Sequence, residues 1–373
     1  MVIIVLGILL LLFIVIVPAA PLWARLGVKP LCVQGDWPNL RIVSCPETPS
    51  ALTPLPLPSL IGQKPLPIIV DDDGSPDGTI ALLFFLNNPR FNVRAVTISE
   101  GEAHPDLFAP HILQLMAGLG AAHIPVGAGR ATPIEGNNAF PDPWRQASDS
   151  FWDIDLSPAM VTQDPSSAAE LMVQTINNSP QPVVIFISGT HTNLAEALRL
   201  DPGIRENIGD VYIMGGSIYG PGNIHSDWPE YANEVAEWNI WVDPVAAAEV
   251  FSSGLILHLV PLDATQQVVW AKSDLPTWNS ADQSGSKVAG DLLQWMLDSW
   301  SEEGVYIWDL VAAVQATNPA ACPEVPLSVN IITTTGAEQG RTMVRDGSPN
   351  AGVCLEPDAG QVKAIAASIF GGR

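Results

Sequence analysis

The segment VDDDGSPDG, residues 70–78, places four carboxylates within seven positions, directly after the apolar run PIIV. Negative charges this close together at the end of a buried strand are costly unless a cation or a shared proton relieves them. Calcium suits such a place because it accepts many oxygen ligands in flexible geometry. The alternative is a plain acidic turn in which Gly74 and Pro76 only shape the backbone. The segment is therefore a candidate cation site.

Apolar, strand-like runs alternate with helical patterns from residue 64 onward. Strands are expected at 67–70, 91–99, 182–189, 210–216 and 255–262, and helices at 79–86, 107–120, 167–176 and 244–251. This order predicts an α/β fold with an open, mostly parallel (mixed) sheet and helices on both faces. Ligands bind such sheets at the carboxyl ends of the strands, where the acidic segment lies. The segment 217–234, rich in Gly, Pro and Asn, is expected to form a long mobile loop over that site.

Seven segments, in one order along the chain, resemble the inosine-uridine-preferring nucleoside hydrolase family. They extend over roughly residues 66–345 and read IIVDDDGSPDGTIALLFFL, AVTISEGE, SGTHTNLAEALRLDP, VYIMGGSIYGPGN, AEWNIWVDPVAAAEVF, VPLDAT and WDLVAAV. The resemblance implies a Rossmann-like nucleoside hydrolase fold. It also implies hydrolysis of the N-glycosidic bond of ribonucleosides to ribose and free base.

The same resemblance indicates which residues bind the calcium ion and which one activates the attacking water. Asp73 holds the position of the family residue that binds Ca²⁺ and acts as general base on the calcium-bound water. Further calcium ligands are the backbone carbonyl of Thr192 and the carboxylate of Asp309. A cation that fixes the sugar diol and the water together suits a reaction through an oxocarbenium-like sugar.

The substrate is expected to be a small-molecule nucleoside held by polar side chains from several strand ends. By the resemblance, the residues that hold ribose and its 5′-hydroxyl are Asp77, Asn223, Glu237 and Asn239. Glu102, with Glu100 as the alternative, lies where the family places an Asn or Asp near the sugar.

Tryptophans at three matching positions point to the purine-specific (inosine-adenosine-guanosine) branch. Trp144 and Trp308 match residues that sandwich the base, and Trp238 in AEWN fits the same branch. Trp308 is counted as catalytic because stacking helps the base to leave. The chain has 12 Trp, so ordinary packing is the alternative for each. Histidines are expected to be ordinary loop residues rather than catalysts; those considered are His104, His191 and His225.

The acidic turn departs from the family pattern at one position. The family's turn ends in two adjacent aspartates, the second of them a calcium ligand, whereas this chain has Asp77-Gly78. Either Asp72 or a water substitutes, or the affinity for the metal is lower. The alternative function is therefore a non-catalytic extracytoplasmic member that binds nucleosides or other sugars. A third alternative is a scaffold on an inactive hydrolase fold.

Three regions are expected along the chain: an apolar anchor or signal segment at 1–22, a Pro-rich linker with Cys32 and Cys45 at 23–63, and the hydrolase domain at 64–373. Residues 2–20 carry no charge and approach the length that spans a bilayer. The segment is expected in or through the membrane, either uncleaved or removed after Pro18-Ala19-Ala20. The hydrolase domain is then membrane-anchored or secreted and is expected on the extracytoplasmic side, although Arg25 and Lys29 argue against export.

Charge and cysteine content narrow the partners and the compartment. The net charge of −23 disfavours a nucleic-acid polymer. The four cysteines fall as two local pairs, Cys32 with Cys45 and Cys322 with Cys354, and three disulfide pairings or four thiols are open to them. Family members commonly form dimers or tetramers, so a homo-oligomer is an open alternative.

Overall fold

The computed structural model describes residues 31–34, 41–44, 64–156, 166–278 and 284–371. Backbone contacts divide the chain into two units, Met1–Leu55 and Pro56–Arg373. In the first unit, β1 (Leu31–Gln34) pairs antiparallel with β2 (Arg41–Ser44), inside the segment predicted as a linker. The apolar run 2–20 and Cys45 lie outside the described residues. None of the helices within the described ranges has the length and apolar character needed to cross a membrane.

The second unit contains twelve strands. They are β3 (Leu66–Asp72), β4 (Phe91–Ile98), β5 (Val126–Ala128), β6 (Val183–Ile187), β7 (Ile208–Met214), β8 (Ile256–Val260), β9 (Val269–Trp270), β10 (Val305–Tyr306), β11 (Glu324–Leu327), β12 (Val329–Ile331), β13 (Thr342–Val344) and β14 (Ala351–Cys354). Eight of them form one sheet in the order β11-β14-β8-β7-β6-β3-β4-β5. All neighbours in this sheet are parallel except β11, which is antiparallel to β14.

Thirteen α-helices are described in the second unit. They are α1 (Pro76–Asn87), α2 (Pro105–Gly118), α3 (Asp142–Asp149), α4 (Ala168–Asn177), α5 (Thr192–Leu200), α6 (Ile224–Asp227), α7 (Trp238–Val242), α8 (Pro244–Phe251), α9 (Leu262–Thr265), α10 (Leu275–Trp278), α11 (Ser284–Ser299), α12 (Trp308–Thr317) and α13 (Ala359–Phe370). The run 79–86 lies within α1 and is a buried helix, as predicted. Trp144 lies in α3, which begins at Asp142 after the N-cap residue Pro141. The predicted loop 217–234 contains α6.

Side chains of β3 alternate between two apolar cores, one on each face of the sheet. Ile68 and Val70 pack into the core that contains α1, α11 and α12, whereas Ile69 packs into the core that contains α4, α5 and α8. Successive side chains of a strand point to opposite faces, so a fully apolar run such as PIIV requires cover on both. The predicted fold class, a mostly parallel α/β sheet with helices on both faces, is confirmed.

A disulfide joins Cys322 to Cys354, with the two Cα atoms 5.6 Å apart. It is one of the two local pairs seen in the sequence. Cys322 precedes β11 and Cys354 ends β14, so the bridge fastens the antiparallel edge strand to the parallel sheet.

Candidate active site

The acidic turn joins the end of β3 to the start of α1. Ser75 caps the helix, because its Oγ accepts a hydrogen bond of 3.0 Å from the backbone N–H of Gly78. Pro76 at the first helical position needs no hydrogen-bond partner for its nitrogen. Asp77 follows in the first turn, where the positive end of the helix dipole favours a carboxylate. Local sequence thus fixes both the turn and the direction of its carboxylates.

Asp73 lies at the junction of three strand ends. A Cβ atom added to Gly101 or to Gly189 would overlap the Asp73 side chain, so the loops after β4 and β6 approach it closely. The backbone N–H of Ser75 donates to Asp73 Oδ1 at 3.2 Å. The side chain is 1% exposed. Glycine is therefore required at both positions to admit this carboxylate.

Asp309 reaches the same place from the other end of the chain. It lies in the first turn of α12 and is buried. Its backbone N–H donates to Asp77 Oδ2 at 3.3 Å, and Ser75 Oγ donates to Asp309 Oδ2 at 3.3 Å. The N-termini of α1 and α12 therefore meet, and each contributes a carboxylate.

Burial and mutual repulsion raise the pKa values of these carboxyl groups. Burial raises the pKa of Asp73 well above its usual range, and the charges of Asp72 and Asp77 raise it further. The pKa of Asp309 is raised in the same way, by burial and then by the charges of Asp77, Asp73 and Asp72. A shared proton or a cation would relieve this repulsion.

The donor set fits calcium in its chemistry, because it offers buried carboxylate oxygens from several elements. Asp72 Oδ2 is buried and has no hydrogen-bond partner among the described residues. The side chains do not already converge as a complete site: in the described ranges, no three His, Cys, Asp or Glu residues are grouped as metal ligands. Asp73, Asp309 and Asp72 are the candidate carboxylate ligands.

Thr192, predicted to offer its carbonyl, is the first residue of α5 and is buried. Its hydroxyl donates to Asp243 Oδ2 at 2.7 Å. The Thr192 side chain is therefore engaged with Asp243, and neither Thr192 nor Asp73 lines the cavity beside the acidic turn.

That cavity has a volume of about 510 Å³, within the range of roughly 300–1,000 Å³ typical of small-molecule sites. It brings together most of the residues predicted from the sequence. Those that line it are Asp77, Glu102, Trp144, Asn223, Glu237, Trp238, Asn239, Trp308 and Asp309.

Asn223, Glu237 and Asn239 form a polar side of the cavity. Asn223 is nearly buried, and its Oδ1 has no partner among the described residues. Glu237 caps α7 and accepts from the backbone N–H groups of Gly216 and Asn239, at 2.8 and 2.9 Å. Burial raises the pKa of Glu237 to about 7 although these hydrogen bonds lower it. The Asn223 oxygen is thus free to accept from a sugar hydroxyl.

Glu102, rather than Glu100, lines the cavity. Its Oε1 accepts from Ser148 Oγ at 3.4 Å, and burial, followed by the charges of Asp73 and Asp77, raises its pKa well above the usual range. Glu100 is buried beside Arg145, with 3.7 Å between Oε1 and the guanidinium nitrogen. Of the two glutamates considered from the sequence, Glu102 therefore faces the cavity and Glu100 does not line it.

Aromatic rings form two further sides. In one group, Trp144 lies 5.4 Å from Trp238, and Phe140 stacks on Trp238 at 4.9 Å, measured between ring centroids. In the other group, Trp300 lies 6.0 Å from both Trp308 and Trp295. Planar apolar surfaces of this kind suit a flat heterocyclic base.

Several lining residues were missed from the sequence: Ser75, Phe140, Asp227, Trp295 and Trp300. Asp227 accepts a hydrogen bond of 3.2 Å from Trp238 Nε1 and so orients that ring. Trp295 lies in α11, outside every segment that resembled the family. The only available signal was the recurrence of Trp shortly before Trp308.

The histidines lie away from the cavity lining. His104 Nδ1 pairs with Asp149 at 2.7 Å, and His225 Nδ1 contacts the carbonyl of Tyr231 at 2.9 Å. His191 is fully buried, and burial lowers its pKa to about 3. His225, predicted on a loop, lies in helix α6.

Curated relatives match most of the chain. The pyrimidine-specific ribonucleoside hydrolase RihA of Citrobacter koseri is 30% identical over 303 residues, which cover 79% of this chain and 94% of the relative. The protein of the same name from Escherichia coli O127:H6 matches with the same identity and coverage. The names of these relatives state pyrimidine specificity, which does not support the purine branch predicted from the tryptophans.

Solved structures share the fold. A plant nucleoside hydrolase superposes with a TM-score of 0.73 at 24% identity, covering 83% of this chain and all (100%) of the other. The purine-preferring ribonucleoside hydrolase from Gardnerella vaginalis superposes with a TM-score of 0.71 at 21% identity, covering 82% of this chain and 99% of the other. The sequence profile of one family, described as inosine-uridine preferring nucleoside hydrolase, matches residues 68–364. The chain belongs to the inosine-uridine preferring nucleoside hydrolase family.

Proposed function

We propose that this protein hydrolyses the N-glycosidic bond of ribonucleosides, preferring purine nucleosides, and uses calcium. Family membership supports ribonucleoside hydrolysis in general. One observation carries the proposal: the same cavity is lined by buried carboxylates and by two groups of tryptophans. Carboxylates can accept hydrogen bonds from the hydroxyls of a ribose, and tryptophan rings can stack on a base.

Asp73 would orient the attacking water and remove its proton. The water oxygen bonds to C1′ of ribose while the bond from C1′ to the base nitrogen breaks, and the base leaves with the bonding electrons. The burial that raises the pKa of Asp73 makes it a stronger base than an exposed aspartate, provided that it is ionised. Asp77, Glu102 and Asn223 would hold the sugar hydroxyls beside it.

Calcium would be held by Asp73, Asp309 and the carbonyl of Thr192, and when bound it supplies positive charge that fixes the diol and the water. Asp77 would contact the sugar rather than the ion. The carboxylate crowding around Asp309 supports a cation here.

Purine preference is proposed from the aromatic surfaces. Trp308 and Trp144 would stack on the base, and Trp238 would support Trp144 through ring contact. A two-ring base gains more stacking area than a one-ring base. The pyrimidine-specific names of the curated relatives point the other way, so base preference must be tested separately from hydrolysis itself.

The test measures release of free base from inosine, adenosine and uridine, with and without a calcium chelator, by the wild type and by Asp73→Ala. We expect faster release from the purine nucleosides, loss of turnover on chelation, and a fall of at least about 10³-fold in Asp73→Ala with the fold intact. Near-normal turnover in that variant would contradict the role of Asp73. Faster release from uridine would contradict purine preference alone.

One observation favours a second function. Gly78 replaces a carboxylate that the family pattern places in the turn, which fits a non-catalytic protein that binds nucleosides or other sugars. Calorimetry with calcium and inosine separates the two, because this alternative predicts binding without release of base.

A location outside the cytosol is also proposed, with the chain anchored or secreted through its segment 2–20. The disulfide between Cys322 and Cys354 supports this, since such bridges persist in oxidising compartments. Protease treatment of intact cells would test it: a domain that is protected until the membrane is broken would contradict this location.

A further inference from the structure

The side chain of Asp72 fills the space beside Gly78. A Cβ atom added to Gly78 would fall within 3.0 Å of both Oδ1 and Cγ of Asp72, and 2.8 Å from Ser75 Oγ. Two carboxylates, one at each position, would therefore collide without a rearrangement. The absence of a side chain at Gly78 therefore leaves the space that the Asp72 carboxylate occupies.

Strand geometry explains why Asp72 points there. Ile68 and Val70 of β3 face the core that contains α1, and Asp72 continues the same alternation. Asp71 faces the other way, where its Oδ1 accepts from Thr97 Oγ1 and Asn193 Nδ2, at 2.7 and 2.8 Å. Asp72 thus points toward the first turn of α1.

One carboxylate oxygen of Asp72 accepts a hydrogen bond, and the other accepts none from the described residues. The backbone N–H of Gly74 donates to Oδ1 at 3.0 Å. Oδ2 has no hydrogen-bond partner among the described residues, and the residue is fully buried (0% exposed). A buried carboxylate oxygen without a partner is costly, and a cation is one remedy.

The negative charge of Asp72 also affects the candidate calcium ligands. Its charge raises the pKa of Asp73 and that of Asp309, in both cases after the larger effect of burial. One ion placed among these three groups would relieve all three. The charge of Asp71 is not among the main causes of either pKa shift.

We propose that Asp72 is a calcium ligand that replaces the carboxylate missing at position 78. The ligand then comes from the end of strand β3 instead of from the first turn of helix α1. This inference rests on the proposed function, because it assumes an ion at Asp73 and Asp309. Since these carboxylates do not yet form a complete metal site in the described residues, binding requires them to turn toward the ion.

Calcium titration by calorimetry tests the proposal on the full chain, without reference to activity. We expect Asp72→Asn to weaken calcium binding by about 10- to 100-fold, because it removes one anionic ligand at nearly constant size. Asp71→Asn is the matched control: it removes a neighbouring buried charge that also has a bare Oδ2 but faces the other core. We expect its calcium affinity to stay within about threefold of the wild type.

The double variant Asp72→Ala with Gly78→Asp moves the carboxylate from the strand to the helix. Shortening residue 72 removes the collision with that side chain, and a rotation of Ser75 relieves the remaining contact of 2.8 Å with its Oγ. We therefore expect the double variant to bind calcium more tightly than Asp72→Ala alone by about tenfold or more. The calcium-induced rise in melting temperature provides a second readout and shows whether each variant is folded.

Each outcome decides something. Equal calcium affinity of Asp72→Asn and wild type would overturn the ligand role of Asp72 while leaving the proposed function intact. Equal losses in Asp71→Asn and Asp72→Asn would also overturn it, since the effect would then be one of general charge. Absence of calcium binding by the wild type would overturn the metal dependence itself and this inference with it.

Discussion

The backbone N–H of Asp309 donates to Oδ2 of Asp77 across 3.3 Å, although the two residues are 232 positions apart in the chain. This bond joins the first turns of α1 and α12, so the two carboxylates are held side by side at two helix N-termini. Both helix dipoles favour negative charge at this place, which partly offsets the repulsion between the two groups. The two residues are nevertheless expected to differ in what they bind.

Replacing each of these carboxylates in turn should separate sugar binding from metal binding. Asp309→Asn should weaken calcium binding by about tenfold or more, because a charged ligand is lost. Asp77→Asn should leave calcium affinity within about threefold but lower kcat/KM by about 10- to 100-fold, the usual effect of losing a hydrogen bond to a charged group. Calorimetry with calcium and steady-state kinetics with inosine measure the two effects. Equal losses of calcium affinity would show that Asp77 binds the ion as well.

The sequence predicted this part of the site because its residues follow strands or start helices in recognisable segments. Asp73, Asp77 and Asp309 each belong to a local pattern, and parallel strands bring their ends to one edge of the sheet. The strands themselves were predicted because apolar runs such as PIIV are typical of strands buried on both faces. Local pattern and sheet topology place Asp73 and Asp77 at that edge, whereas Asp309, which follows β10 outside the main sheet, was identified only through the resemblance to the family.

The aromatic sides of the cavity were only partly predictable. Trp295 and Trp300 come from α11 and the residues just after it, where no motif marks them. Their place beside Trp308 depends on how α11 packs against α1, a tertiary contact that has no local signal. For the same reason, the bare oxygen of Asp72 and its fit to Gly78 could be seen only in three dimensions.

Removing the tryptophan rings should affect purine substrates more than pyrimidine substrates. Trp308→Ala should lower kcat/KM for inosine by about 10- to 100-fold, as expected from stacking worth about 1–3 kcal/mol per base. Trp144→Ala should have a smaller effect, because Phe140 and Trp238 remain on its side of the cavity. Ratios of kcat/KM for inosine and uridine provide the measurement. Trp278→Phe, at a buried ring away from the cavity, is the control for general loss of aromatic packing.

Opening the disulfide should destabilise the edge of the sheet without changing the chemistry. Cys322 and Cys354 are 32 positions apart, and closing a loop of that length stabilises a fold by about 2–4 kcal/mol. The double variant Cys322→Ser with Cys354→Ser should therefore unfold at lower denaturant concentration, while KM for inosine at 25 °C stays close to that of the wild type. Denaturant titration followed by tryptophan fluorescence measures the change. If the oxidised wild type and this variant unfold at the same denaturant concentration, the disulfide contributes nothing to the stability of the fold.

His258 should stabilise the protein at low pH more than at high pH. Its ring lies between two carboxylates, with Nδ1 2.8 Å from Glu324 and Nε2 3.2 Å from Asp210. Burial lowers the pKa of His258, but the two hydrogen bonds and the negative charges of Asp210 and Glu324 together outweigh burial and raise the pKa from 6.5 to about 9. Because the folded-state pKa lies above the unfolded value, the stabilisation is complete below about pH 6.5 and is lost as pH rises through about 9.

The test variant is His258→Gln, which keeps a polar side chain of similar reach but carries no charge. It should lower the free energy of unfolding at pH 6 by on the order of 1 kcal/mol, a value discounted for solvent screening, and by much less at pH 10. Urea titrations of both proteins at the two pH values give the difference directly. Lys287→Gln, which removes an exposed ion pair with Asp291, should show little loss at either pH and is the matched control. A His258→Gln effect that is equal at pH 6 and pH 10 would mean that ring packing on Tyr212, 4.5 Å away, rather than charge, makes this histidine stabilising.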